Sequence, residues 1–548
     1  MRGLASHPQD IWPKLVIICR YLARRRAYRR AFAAGELLVE VAAPPRECLL
    51  TVATPVYRVR EDHLRAAIAS VRAQTHASWE LILLDDASPE PHVGRVLDEA
   101  TREDRRIRTI SRTSNAGIAA ASNEIIATAR GEYVAFLDHD DLLHPRALEL
   151  ATRRLAAQPE ADWIFSDEDK VDERGRHHQP CLKPGWSPHL LLAFNYVCHF
   201  RVIRRSLLLR VGGHRIGFDG AQDYDLALRC LAAGARFAHL PGVLYHWRTV
   251  ATSMARVASA KPAAHQHALR ALVEHAETWP RGGAVLAEVL LAPASFFRVR
   301  RAPGADLRLA VLTDPEGLAA GLRGSRRFAA RPSQRGARRA RAPQGLRDAQ
   351  RASTAAPLAA AGWQQDLEAL VAAARGCDAD VILAPAPGGF DGDQVTELLS
   401  LLQVPGTALT AGRFMRGRRV VASGWVATDE GRLRDPWAGL RQGWRDYLNL
   451  AIVPGPRLIP TPAGWAAWRS DLLAAWDAAP DVPNAWRLPV GLALLDREIV
   501  VSPEISLQAA GARCTPPQLP APPGLPVAWR AWLDRFGLAY RRRSQAGE

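Results

Sequence analysis

From Cys48 to about Met254, short apolar runs alternate with amphipathic stretches. Residues 48–57, "CLLTVATPVY", and 79–88, "WELILLDDAS", carry the apolar density that predicts buried strands, each running into a polar loop. Between them, "REDHLRAAIASVRAQ" places Leu64, Ile68 and Val71 on one face of a helix. "RIRTISR" predicts a third strand, "GIAAASNEIIATA" a helix and "EYVAFLDHDD" a fourth strand. Alternation at this spacing predicts an α/β fold, a mostly parallel sheet flanked by crossover helices. In such sheets the ligand sits beyond the carboxyl ends of the strands.

That rule draws attention to the strand ends. Thr54 to Tyr57, Asp85 to Ser88 and Asp138 to Asp141 each follow an apolar run, and the topology would bring them to one crevice. One acidic cluster reads as well as a solvated loop; three at corresponding ends are harder to dismiss. On extended backbone Asp138 and Asp140 project to the same side. Neighbouring carboxylates need water, hydrogen bonds or a cation, and hard oxygen donors favour Mg²⁺ or Mn²⁺. Such an ion would stabilise a departing diphosphate as a Lewis acid. Asp141 is expected to cap the following turn and helix.

The stretch "GFDGAQDYDLALRCLAAGARFAHLPGVLYHWR" (217–248) predicts a glycine-rich entry, a helix with Leu226, Leu228 and Leu231, and a strand ending at His246 and Arg248. Asp223 is expected to act as a general base toward a sugar hydroxyl, the alternative being a helix cap. Asp225 is expected to be that cap. His246 falls in an expected loop before Arg248, where a metal or phosphate contact competes with a structural role.

After about Ala302 the texture changes. "RLAVLTD" can open another strand, but the Arg/Ala-rich stretch that follows has no apolar period and reads as a linker or insertion. From about Gly362 globular texture returns, with an internal echo. "ARGEYVAFLDHDDLLHPRALELATRRLAAQP" (129–159) lines up with "ARGCDADVILAPAPGGFDGDQVTELLSLLQVP" (374–405), and "LAPAP" stands where the first copy has its aspartates. Chance likeness in an alanine-rich chain is the alternative.

Composition adds limits to this picture. The chain has 548 residues, 48% of them hydrophobic, enough for two or more cores. Its formal charge of +16 is carried almost wholly by arginine, since the lysines are Lys14, Lys170, Lys183 and Lys261. That balance favours anionic partners, and a GC-rich coding sequence would also produce it. Seven scattered cysteines form no CxxC pair and suit a reducing cytosol. No stretch reaches the roughly 18 to 20 apolar residues of a membrane span. Residues 11–32, "IWPKLVIICRYLARRRAYRRAF", combine helix-spaced apolar positions with Arg24, Arg25, Arg26, Arg29 and Arg30. They read either as a helix on an anionic membrane surface or as one docked on the catalytic domain.

The ordered set "TPVY", "LLDDAS", "ARGEYVAFLDHDD", "SDEDKVDERG", "KPGWSPHLL", "NYVCHF" and "GAQDYDLALR" resembles glycosyltransferase family 2, in particular bacterial enzymes of O-antigen, capsule and other surface-polysaccharide assembly. The resemblance covers about Cys48 to Met254. It implies a GT-A fold, an inverting mechanism, a nucleotide-diphosphate sugar donor, a divalent metal (Mn²⁺ or Mg²⁺) and a glycan acceptor, lipid-linked or free. It also implies a cytoplasmic site of action, with peripheral contact at the inner membrane face if the basic segment binds there. Carried over by position, Thr54, Pro55 and Tyr57 line the nucleotide pocket, Asp86 accepts from the base, and Asn115 and Gly117 lie near the donor. Asp138 meets the ribose or sugar, Asp140 the metal, His246 completes the metal site, and Asp223 is the catalytic base. Two positions depart from the pattern: Ser122 precedes Asn123 where an arginine is common, and Gln222 precedes Asp223 where a glutamate is common. "SDEDKVDERG" offers Asp167, Glu168, Asp169 and Lys170 to the acceptor sugar, or forms a solvated turn before a hairpin. Trp186 stacks on a sugar or packs in a core.

The expected organisation is therefore a basic segment at 1–47, a GT-A domain at 48–300, an Arg/Ala-rich linker at 301–361 with a strand near 307–313, a degenerate glycosyltransferase-like α/β domain at 362–515, and a Pro/Arg-rich segment at 516–548. Two other functions compete with catalysis. One is a silent pseudoenzyme that binds glycan or nucleotide. The other is a nucleic-acid binder, against which stands the lack of any helix-turn-helix, zinc finger or aromatic-interleaved basic platform.

Overall fold

The computed structural model describes residues 29–30 and separate positions from 32 to 40, residues 41–249 apart from 184, and residues 262–302 apart from 281 and 292–294; from 307 onward it describes separate stretches, chiefly 379–384, 392–416, 465–481 and 498–508. The expected aspartate-free segment at 385–387, most of the linker and the basic residues before Arg29 lie outside the described residues. The chain divides into two compact units, 1–186 with 195–268 and 187–194 with 269–548.

In the first unit the apolar runs become the strands β1 (Leu50–Val56), β2 (Trp79–Asp85), β3 (Ile107–Ser111) and β4 (Tyr133–Phe136). Those inside the sheet are buried on both faces, as parallel sheets require, and β3 at its edge is only partly buried. The connecting helices are α1 (Glu61–Arg72), α2 (Pro91–Glu103) and α3 (Ile118–Thr128). Helix α1 starts with Glu61 and Asp62, ends with Arg72 and buries Leu64, Ile68 and Val71. Its charges thus complement the helix dipole while the predicted face enters the core. There follow β5 (Leu142–Leu143), α4 (Ala147–Ala157), β6 (Trp163–Val171), β7 (His177–Cys181), β8 (Arg201–Arg204), α5 (Arg205–Arg210), α6 (Gln222–Ala232) and β9 (Phe237–Arg248).

The sheet order is β3-β2-β1-β4-β8-β6-β9-β5, with β7 paired to β6. Strands β1 to β4, β6 and β9 run one way, and β5, β7 and β8 run against them. The sheet is therefore mostly parallel. Because β8 is reversed, its first residue lies at the edge where the parallel strands end.

Two expectations change here. "SDEDK" is the second half of β6, with the turn following it, where Gly175 N donates to Asp172 O at 2.9 Å. His246 and Arg248 belong to β9 itself, and no loop separates them from the strand.

The second unit repeats part of this path. Strand 308–311 runs parallel to 381–384, which pairs antiparallel with 465–468; that strand pairs antiparallel with 407–416, and 407–416 runs parallel to 498–508. This is the succession β1, β4, β8, β6, β9, with the same directions. Strand 419–422 folds back on 407–416 as β7 does on β6. Helix Arg469–Ala478 follows its strand directly, as α5 follows β8. In both units the first helical residue donates to the residue before the central strand: Arg205 N to Glu132 O and Arg469 N to Asp380 O, each 2.9 Å.

The turn into β4 sets a steric limit. Gly131 N donates to Thr51 Oγ1 at 2.9 Å, and a Cβ at Gly131 would lie 2.5 Å from Thr51 N and 2.9 Å from Leu49 O. Gly131→Ala is expected to destabilise the chain by about 1–3 kcal/mol in urea unfolding, through overpacking against backbone. Gly94→Ala in helix α2, where a Cβ meets nothing within 4 Å, should instead stabilise by about 0.5–1 kcal/mol.

Candidate active site

Strand ends β1, β2, β4, β6 and β9, the start of β8 and the first turn of α6 supply the site. The expected donor residues come together at the β1 and β2 ends. The Asp86 carboxylate accepts from Gly117 N at 2.8 Å and from Ala116 N at 3.1 Å, and Arg112 Nη1 lies 3.2 Å away. Asn115 Nδ2 donates to Asp86 O at 3.2 Å. Asp86 therefore fixes the 115–117 loop, where sequence reasoning has it accept from a base ring. Gly117, at φ +87°, takes a backbone conformation that other residues rarely adopt. Thr54 is buried, and its Oγ1 has no hydrogen-bond partner among the described residues. Pro55 O pairs with His139 Nδ1 at 3.0 Å, and Tyr57 is exposed at the rim.

The three aspartates after β4 have different surroundings. Asp141 is fully buried; its Oδ2 accepts from Tyr245 Oη at 2.6 Å and its Oδ1 from Arg248 N at 2.7 Å. The expected cap is thus a clamp between the β4 loop and β9. Burial, together with Asp140 and Asp138, pushes its carboxyl well up. Asp138 N donates to the same Tyr245 Oη at 3.2 Å. The carboxylates of Asp138 and Asp140 accept no hydrogen bond from a described residue. Burial pushes the Asp138 carboxyl up against the opposing charges of His199 and Arg201, with Asp223 and Asp140 adding to the rise.

Asp223 sits in the first turn of α6, after the N-cap Ala221, where the helix dipole favours an anion. Arg201 Nη2 lies 2.8 Å from its Oδ1, His214 Nε2 3.3 Å and Gln222 Nε2 3.5 Å from its carboxylate oxygens. Burial opposes ionisation, but Arg201 and His214 overcome it and hold the carboxyl well below the usual range. The guanidinium also lies over the Phe136 ring at 4.5 Å. Asn123 fastens the neighbouring loop, donating to His214 O at 2.8 Å and accepting from His214 N at 2.7 Å. Asp225 is not the helix cap; it is buried between Arg215 Nε at 3.0 Å and Arg229 Nε at 2.9 Å.

The "SDEDK" residues divide by strand alternation. Register pairs Glu168 with Tyr245, Asp169 with His246 and Lys170 with Trp247, so alternate pairs face opposite sides. Glu168 and Lys170 share the face of Tyr245, the residue that reaches Asp138 and Asp141. Lys183 Nζ lies 2.9 Å from Glu168, and Lys170 lies 5.7 Å from the Trp247 ring centroid. Asp167 and Asp169 are buried away from that face. Asp167 accepts from Lys183 N at 2.8 Å and Gly242 N at 3.0 Å. Asp169 lies between His177 and His246, with Nδ1 distances of 2.8 and 2.7 Å. His246 Nδ1 is therefore engaged by Asp169, on the face turned from Tyr245, and the expected pairing of His246 with Asp140 is not what the hydrogen bonds show. Trp186 stacks on Phe237 at 4.1 Å, a packing role.

Sequence reasoning missed Arg201, His214, Tyr245 and Lys183. "NYVCHF" ends one residue before Arg201, but nothing in that motif by itself places a cation against Asp223.

Residues 51–212 match the profile of "Glycosyl transferase family 2". The O-antigen biosynthesis protein RfbC of Myxococcus xanthus is 41% identical over 45% of this chain and 19% of its own length. The putative glycosyltransferase EpsE of Bacillus subtilis is 30% identical over 34% of this chain and 69% of its own length. Among solved structures, S. aureus TarS in complex with UDP-GlcNAc gives a TM-score of 0.36 at 17% identity, over 41% of this chain and 66% of that one. The chain spans 25% and 19% of the lengths of two longer curated relatives.

Replacing Arg201 by Met should expose how far Asp223 depends on it. Removing the guanidinium from this partly exposed carboxylate, which keeps His214, is expected to cost about 1.5–3 kcal/mol in urea denaturation at pH 7. Because the folded-state pKa is lowered, the pair's contribution is complete above the unfolded carboxyl value near about 3.9 and fades as pH falls toward the folded one. The stability gap between Arg201→Met and the unaltered chain should therefore narrow below about pH 4.

Proposed function

The chain belongs to glycosyl transferase family 2, and on that premise we propose that it moves a sugar, with inversion, from a nucleotide-diphosphate donor to a hydroxyl of a growing cell-surface glycan. The observation that carries this reading is the contrast among carboxylates at one sheet edge. Asp138 and Asp140 have no hydrogen-bond donor among the described residues, while Asp223 beside them is held ionised by Arg201. Relatives named for O-antigen biosynthesis and chondroitin synthesis support the substrate class.

Asp138 and Asp140 fit a divalent cation such as Mn²⁺ or Mg²⁺, being hard oxygen donors whose mutual repulsion the ion would remove. When bound, it would stabilise negative charge on the departing diphosphate. Asp223 receives the acceptor proton. With its low pKa it is a weak base, so it takes the proton as the hydroxyl oxygen bonds to the anomeric carbon and becomes acidic. Being ionised throughout the physiological range, it needs no prior deprotonation. Asn115 and Gly117, held by Asp86, border the donor with Thr54, Pro55 and Tyr57. Glu168 and Lys170, on the face of Tyr245, are placed toward the acceptor.

The second unit is a degenerate copy in this reading. By the shared register of Tyr133 with Val381, Trp465 stands in for Arg201, and in the sequence "LAPAP" follows where the first copy has its aspartates. Its use would be structural or in positioning the acceptor. The reaction belongs in the cytoplasm, where nucleotide sugars are made, at the membrane face if the acceptor is lipid-linked. Among the described residues, no helix is long and apolar enough to cross a membrane.

The experiment is a screen of the full chain against nucleotide sugars, reading nucleotide release with and without Mn²⁺. Turnover of at least one donor is expected, lost with a chelator and restored by Mn²⁺. Asp223→Asn should cut transfer by about 10²- to 10⁴-fold with folding intact, and Asp140→Ala should abolish the metal response. Release that is unchanged in both variants, or tight donor binding with no release, would replace catalysis by a binding function.

A further inference from the structure

The face of β6 and β9 turned away from Tyr245 carries a cluster that the proposed transfer reaction does not use. Asp169, His177 and His246 come from three strands, and one ligand atom from each lies within 4.8 Å of the others. Register explains the meeting. Asp169 pairs with His246 across β6 and β9, and Val171, two residues on along the same face, pairs with His177 across the hairpin. The side chains are 0% exposed for Asp169, 6% for His246 and 22% for His177.

We propose that Asp169, His177 and His246 form a binding site for a borderline divalent metal of the zinc class, separate from any cation held by Asp138 and Asp140. Two imidazole nitrogens and one carboxylate suit Zn²⁺ or Co²⁺ and suit Mg²⁺ poorly. Zinc of this type takes three protein ligands and leaves a fourth position for water.

The distances allow it. Nδ1 of each histidine faces a different oxygen of the one carboxylate, at 2.7 and 2.8 Å. Bonds of about 2.1 Å to a tetrahedral ion put ligand atoms about 3.4 Å apart, inside the 4.8 Å within which the three atoms lie.

Electrostatics favours it too. A buried carboxylate needs a compensating charge. A divalent ion between the Asp169 carboxylate and the two Nδ1 atoms, each histidine being neutral with its proton on Nε2, supplies that charge.

Neighbouring rings partly enclose the cluster. Phe32 stacks on His177 at 4.0 Å and meets His246 edge-on at 5.4 Å, and Arg29 Nε donates to His177 O at 3.2 Å. The His144 ring lies 6.3 Å from that of His246. A metal here would pin the β6–β7 hairpin to β9 and to the residues around Phe32.

The test is titration of the full, tag-free and metal-stripped chain with Zn²⁺ and with Co²⁺, without nucleotide sugar. One equivalent should bind, with the intense visible absorption of four-coordinate Co²⁺ and a rise in Tm. His177→Gln and Asp169→Asn should each weaken binding by at least about 100-fold, whereas Asp140→Ala should bind as the unaltered chain does. No uptake by the unaltered chain, or equal affinity in His177→Gln, would leave a hydrogen-bonded His-Asp-His cluster and overturn the proposal. Loss of binding in Asp140→Ala would assign the ion to the β4 end and overturn it as well. None of these readings requires sugar transfer, so they stand or fall apart from the proposed activity.

Discussion

Arg201 is the counter-charge on which the acidic edge of the sheet depends. Four carboxylates, those of Asp138, Asp140, Asp141 and Asp223, gather there, and like charges so close would raise one another's pKa and loosen the loops that carry them. Asp141 is satisfied by Tyr245 Oη and Arg248 N, and Asp223 by Arg201 and His214. Only then can Asp138 and Asp140 remain without donors at tolerable cost. Topology makes the pairing available. Arg201 opens β8, the strand running against its neighbours, and so stands at the edge where β4 and β6 finish.

The same pair bears on the chemistry. Arg201 fixes the position of the carboxylate and keeps it ionised, but it also weakens it as a base. Gln222, standing where a glutamate is common, adds no negative charge beside it. Gln222 stands 3.5 Å from the carboxylate, while Arg201 lies 2.8 Å away and carries a full positive charge.

Much of the fold was legible because β1, β2 and β4 are buried on both faces and the helices between them on one, so the apolar period announces each element. The crevice was legible for the same reason: once the strands were placed, their ends followed. The division of roles within it was not. Asp138, Asp140 and Asp141 look alike in sequence, and Tyr245, about a hundred positions away along the chain, decides that Asp141 is the structural one. "SDEDK" was harder, because four charged residues in a row suggest a solvated turn. In the strand they alternate, with Asp167 and Asp169 satisfied inside by backbone N–H groups and histidines while Glu168 and Lys170 face the site. Polar residues can therefore keep a strand's period of two without apolar residues to mark it, provided partners from other strands supply the hydrogen bonds.

The echo in the second half is better carried by topology than by sequence. Alanine-rich segments align easily by chance, but five strands in one spatial order with matching directions, a matching hairpin and a helix anchored by the same backbone hydrogen bond do not. A sheet of this order needs apolar strands and one reversed strand; it does not need acidic ends. Among the described residues, Trp465 stands at the strand position that Arg201 holds in the first unit, so the shared order of strands does not carry the arginine with it.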